Sequence, residues 1–184
     1  MSTSASESTD SKSVMVSLLL PDGRRQTAKL VYGESHDGSE DNHFVQLDYE
    51  SFREKEICDS DYFECLIVLR RALAEVGIKI LVNGARCDTW PSGMSRSMAG
   101  GFIIYTMRLG HKCSLKDLVK IFAPAAPEQI VTPEEQSAYH DRWLESLGWR
   151  RGADGELSPE TTRNGNLPPG LVAHVASKSH NTRR

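Results

Sequence analysis

The strongest constraint in the chain is an apolar stripe. Tyr62, Leu66, Leu69, Leu73 and Val76 follow one another at 4-3-4-3 spacing, which puts all five on one side of an α-helix. Asp59 or Ser60 can cap its start and Gly77 can take the left-handed position at its end. The same spacing predicts that Arg70, Arg71 and Glu75 face away from the stripe. A helix apolar on one side must lie on another element, and the flanking segments supply candidates. Ser13–Leu20 and Thr27–Tyr32 are β-branched or apolar in character and are joined through Pro21-Asp22-Gly23, which reads as a hairpin. After a polar loop over 33–42, the residues Phe44, Gln46 and Asp48 alternate with Val45, Leu47 and Tyr49, as in a strand with one wet face.

Beyond the helix, Ile78–Val82 and Phe102–Met107 read as short strands. Ser114 and Asp117 form a capping-box pattern, and Leu115, Leu118, Val119 and Phe122 then predict a short helix ended by Pro124. Thr132-Pro133-Glu134-Glu135 is a further helix start, with Tyr139, Trp143 and Leu147 four apart and Gly148 at the close. The order β-β-β-α-β-β-α-α favours an α+β fold over a doubly wound sheet. The expectation is a small, mainly antiparallel sheet of about five strands packed against two or three helices.

The ends differ in character from this middle part. Residues 1–12 hold Ser, Thr and acidic groups with almost nothing apolar, and 151–184 hold Pro, Gly and five bases against three acids. Neither buries enough surface to offset chain entropy. Both are therefore expected to be disordered tails around a single domain over 13–150. No stretch is long enough in apolar residues to span a bilayer, and the short run before Pro21 lacks the basic start and cleavage site of a signal peptide. No membrane partner is expected. The four Cys, at 58, 65, 87 and 113, include no C-x-x-C pair, and the six His form no ligand-spaced cluster. No metal or other cofactor is therefore implied, and reduced thiols in a cytoplasmic protein are the plain expectation.

Between two of the predicted strands lies Asn83–Gly101, NGARCDTWPSGMSRSMAGG, which is 19 residues without a periodic pattern. Loops of that length inside a compact domain usually carry function or are ordered by their own packing. Its glycines let the backbone turn sharply or approach a ligand. Arg86 and Arg96 could hold a carboxylate or phosphate in bidentate fashion. Asn83, Asp88, Trp90, Ser92 and the more distant His111 complete the set of candidate ligand-binding residues. The competing structural reading has Trp90 and Met94 pinning the loop over the sheet, with the two arginines satisfying loop carbonyls.

Sharper motifs fall short. Gly93-Met94-Ser95-Arg96-Ser97 approaches the nucleophile elbow G-x-S-x-G but ends in Ser, and no convincing helix follows it in the pattern. The glycines match neither dinucleotide nor P-loop spacing. Cys87 with His111, flanked by Asp88, has the residue types of a nucleophile and base, but sequence does not fix their separation.

The residues Leu69-Arg70-Arg71, Asn83-Gly84-Ala85-Arg86, Pro91-Ser92-Gly93-Met94, Arg96 and Met98 resemble those of an uncharacterised bacterial protein family, over roughly a quarter of the chain. That resemblance implies no activity and marks only the loop as the shared feature.

The net charge of -3 hides a division. Residues 34–64 hold eleven acids and two bases, whereas 70–120 hold nine bases and three acids. The acidic stretch suits steering toward a basic protein, so the first functional expectation is a cytosolic protein-interaction or regulatory module without catalytic activity. The alternative is an enzyme or binding protein that takes a small anionic ligand through the 83–101 loop. Nucleic-acid contact through Arg70, Arg71, Lys79, Arg108, Lys112, Lys116 and Lys120 is disfavoured by the acidic balance and by their scatter over different faces.

Overall fold

The computed structural model describes residues 10–36, 41–49, 52–58, 61–152 and 155–159. They form an α+β fold of three helices and antiparallel sheets. The largest sheet contains β1 (Asp10–Leu19), β2 (Arg25–His36), β3 (Asp41–Tyr49), β4 (Phe52–Cys58) and the two-residue β5 (Lys79–Ile80), in the order β4-β3-β2-β1-β5. The predicted hairpin is present: Val16 pairs with Ala28, and Gly23 closes the turn at φ +83° while its N–H donates to the Leu20 carbonyl.

Register places Leu30 opposite Leu47, so the alternating Val16, Leu18, Ala28, Leu30, Val45 and Leu47 share one buried face. Helix α1 (Tyr62–Glu75) covers that face with Phe63, Cys65, Leu66, Leu69 and Leu73. Its cap is Asp61 rather than Asp59 or Ser60: the carboxylate accepts from the Glu64 N–H at 2.9 Å. Gly77 follows at φ +72°, as its position predicts.

A second sheet contains β6 (Thr89–Trp90), β7 (Ile103–Thr106) and β8 (Leu118–Lys120), in that order. It joins the main core through Ile104 and Ile121. Between β6 and β7 runs a short helix, α2 (Gly93–Ala99). Helix α3 (Pro133–Ser146) begins with the expected capping box, in which Thr132 and Glu135 bond each other's backbone. Its Trp143 and Leu144 form a smaller cluster with Met107, and the hairpin of β9 (Trp149–Arg151) and β10 (Leu157–Pro159) packs there through Trp149 and Leu157.

Four expectations are corrected. The polar loop expected over 33–42 shortens, because β2 continues to His36 and β3 begins at Asp41. The strand β4 was not expected, since FREKEIC lacks an apolar alternation, yet strand pairing needs only backbone groups. The helix expected from Leu115 to Phe122 is a single 3-10 turn over Leu115–Asp117 followed by β8, where Val119 pairs with Ile104. The capping box there is real, but the chain leaves the turn to complete a sheet. The boundaries at 13 and 150 also move outward. Asp10, Ser11 and Lys12 pair with Glu34, Gly33 and Tyr32, and Leu157 extends the fold past Arg151 by packing beside Trp143. The tail assignments for 1–9 and for 160–184 lie outside the described residues.

Candidate functional site

The segment 83–101 is built, not loose. It opens with a 3-10 turn at Asn83–Ala85, passes through β6, and ends in α2 with Gly100 at φ +53°. Gly84 explains its close seat against α1: an added Cβ would lie 2.5 Å from the side chains of both Leu66 and Ile121. The glycine permits close approach to the core of the chain itself rather than to a ligand.

A turn pressed into a core exposes its carbonyls to a dry environment, where unpaired polar groups are costly. Arg70 answers that need. The side chain is 6% exposed, contrary to the expectation that it faces away from the stripe. Its guanidinium donates to the Gly84 carbonyl at 3.2 Å, to the Val131 carbonyl at 2.6 Å and to Gln136 Oε1. Gln136, fully buried on α3, donates in turn to the carbonyls of Gly84 and Thr89 and to Thr89 Oγ1. The Thr89 hydroxyl donates to the Asn83 carbonyl at 2.7 Å. Burial lowers Arg70 to about 10, opposed by the Glu134 carboxylate and reinforced by Arg71, so the guanidinium stays charged at neutral pH. One cation thus ties α1, the 83–90 stretch and α3 together.

The seven candidate residues do different things. Arg86 forms a two-pronged pair with Asp88, at 2.9 and 2.8 Å, and reaches Asn83 Oδ1 at 3.4 Å. The Asn83 amide donates to the Lys120 carbonyl. Arg96 donates to Asp61 at 2.7 Å and Glu64 at 2.9 Å while lying over the Phe63 ring. Trp90 meets Phe63 edge-on at 5.1 Å and stacks on His140 at 4.4 Å. Ser92 caps α2 by accepting from the Ser95 N–H. His111 is exposed in a separate hairpin after β7.

Trp90 therefore pins the segment, as the structural reading predicts. Met94 does not: it is 63% exposed, and Met98 one turn later is 80% exposed. The expected arginine-to-carbonyl bonds exist too, but Arg70 makes them, while Arg86 and Arg96 go to carboxylates. Arg70 lies four residues after Leu66 and three before Leu73, the spacing of the buried ridge, and that was the signal for it.

Neither catalytic reading gains support. Ser95 sits inside α2, and its hydroxyl donates to the Ile103 carbonyl instead of standing exposed on a strand-to-helix turn. Burial and then the Asp88 carboxylate push the Cys87 thiol up, the opposite of what activates a nucleophile. Among the described residues no three His, Cys, Asp or Glu side chains gather as metal ligands, and no helix is long and apolar enough to cross a membrane. No protein-family model and no curated relative matches the chain.

Proposed function

We propose that the protein is a small cytoplasmic interaction module that binds another protein and catalyses no reaction. The observation that carries this reading is the contrast within one segment. The charged side chains of 83–101 are engaged by the chain itself, while α2 turns Met94 and Met98 outward on neighbouring turns. Flexible thioethers on a surface suit adaptable protein contact, and large apolar side chains grouped in the open mark such surfaces. The acidic stretch 34–64 favours a partner with a basic surface. Cys65, Cys87 and Cys113 carry no disulfide, which supports a reducing compartment.

The alternative, a small anion held by Arg86 and Arg96, would require those side chains to give up Asp88, Asp61 and Glu64. The competition is unfavourable, because these carboxylates are already positioned at no entropic cost to the ligand-free protein.

The test is affinity capture from native lysate with the wild-type chain, Met94→Ser/Met98→Ser, and Met15→Ser as an exposed control on β1. A partner retained by wild type and control but lost by the double variant is the expected result. Equal recovery by all three would sink the assignment to α2, and a wild-type chain that captures nothing would sink the module reading.

A further inference from the structure

Five arginines of the fold sit against carboxylates: Arg24, Arg71, Arg86, Arg96 and Arg151 lie between 2.6 and 3.0 Å from Asp22, Glu134, Asp88, Asp61 and Asp141. The hairpin that follows β7 is different. Arg108 and Lys112 are exposed and make no ion pair among the described residues. Four of the cations that sequence spacing scattered over different faces, Arg108, Lys112, Lys116 and Lys120, lie exposed within this short stretch.

The hairpin is held rigid. The His111 N–H donates to the Arg108 carbonyl at 3.0 Å across a turn with Gly110 at φ +74°. Trp143 Nε1 donates to the His111 carbonyl at 2.9 Å, and the Gly110 N–H donates to Ser146 Oγ at 2.8 Å, so two side chains of α3 fix the turn. Arg108 and His111 are bridge partners, and two residues further down each arm the Cys113 thiol donates to the Thr106 carbonyl. Side chains from both arms then meet over a shallow surface depression lined by Thr106, Arg108, His111, Lys112, Cys113 and Asp117.

We propose that this depression binds a phosphate group. Arg108 offers a planar fork of N–H donors, Lys112 an ammonium, Thr106 a hydroxyl and His111 at least one ring N–H. The one carboxylate in the lining, Asp117, accepts from the Ser114 N–H and hydroxyl, both at 2.8 Å; those bonds, with lesser help from the Arg108 and Lys116 charges, hold it below the usual carboxylate range, so it stays ionised and offsets one of the cations. Burial, with Asp117 adding to it, pushes the Cys113 thiol up to about 11, so it stays protonated and adds no second negative charge. A phosphate monoester, with about −1.5 to −2 charge at neutral pH, supplies counter-charge where the single Asp117 carboxylate leaves Arg108, Lys112, Lys116 and Lys120 unbalanced. The phosphate could be free or the headgroup of an anionic lipid. Leu109 and Leu115, 45% and 81% exposed and next in the chain to Arg108 and Lys116, would meet the acyl boundary in the second case.

Titrating the full-length, isotope-labelled chain with inorganic phosphate at constant ionic strength separates these sources when paired with vesicle sedimentation. The vesicles are phosphatidylcholine alone and phosphatidylcholine containing phosphatidic acid. Saturable shifts at Thr106 to Asp117 with phosphate identify a soluble ligand. Sedimentation only with phosphatidic acid identifies a headgroup. In either case Arg108→Ala/His111→Ala should weaken binding at least tenfold, while Lys29→Ala/Lys79→Ala, which removes two exposed cations elsewhere, should not. Absence of saturable binding in both arms overturns the proposal, as does equal loss in the two double variants. No residue is shared with the Met94–Met98 surface, so either reading can fail without the other.

Discussion

Two stretches of the basic segment of the chain, 83–101 and 106–120, differ in what the fold does with their cations. In the first, Arg86 and Arg96 are closed off by Asp88, Asp61 and Glu64. In the second, Arg108 and Lys112 stand in the open beside a carboxylate that Ser114 has already claimed. A cation's availability is therefore set by where the acids fall after folding as well as by the density of bases along the chain. The first stretch is a structural hub with an apolar outer face, and the second is a polar surface with charge to spare.

The hub half of this comparison breaks if Arg70 is dispensable. Arg70→Ala leaves buried oxygens on Gly84, Val131 and Gln136 without their donor and is expected to cost about 3 kcal/mol or more in urea unfolding. A loss below ~1 kcal/mol would mean that the network is incidental. Arg70→Lys, which keeps the charge but not the fork, should fall between the two.

The closed ion pair of the hub comes next in size. Asp61 is 1% exposed and serves both the helix cap and Arg96. Asp61→Ala should cost about 2 kcal/mol and Asp61→Asn less, because asparagine still caps. Equal losses in the two variants would assign the whole effect to the bond with Arg96.

Alkaline pH probes the second stretch. The folded state raises Cys113 toward about 11 from the ordinary thiol value of 9.0, so the thiol contributes stability that is full below that value and lost as the pH climbs through about 11. Wild type should therefore lose more stability than Cys113→Ala between pH 8 and 10.5. Parallel curves for the two proteins would remove Cys113 from the account. The smallest effect is expected for Arg108→Ala/Lys112→Ala, within ~0.5 kcal/mol of wild type, since neither cation supports the fold. A large loss there would erase the distinction between the stretches.

How legible the fold was depends on which physics decided each element. The stripe from Tyr62 to Leu73 and the Thr132–Glu135 box are decided locally, by spacing and by caps within reach of one turn, and they read directly from the residues. Strand β4 and the strand at Leu118–Lys120 are decided by backbone pairing with another strand, β3 for one and β7 for the other, and not by any side-chain pattern of their own, so they carry no local mark. At the candidate site the same division holds. Trp90 as an anchor is a local inference, whereas the helix that Ser92 caps is not legible in the residues, because seven of them carry too little periodicity to mark it. The carboxylates that occupy Arg96 come from residues 35 and 32 positions earlier, which no loop-by-loop reading joins to it.

The arginine hub also has a consequence in time. Arg70 bonds to Gln136 across 66 positions and to the Val131 carbonyl across 61, so neither contact can form until the long stretch between them has closed on itself. Long-range contacts of this kind come late on the folding route. Arg70→Ala is accordingly expected to leave the refolding rate nearly unchanged and to accelerate unfolding. What holds the three segments together at equilibrium would then act as a latch, setting how long the native state lasts once made and not how quickly it is reached.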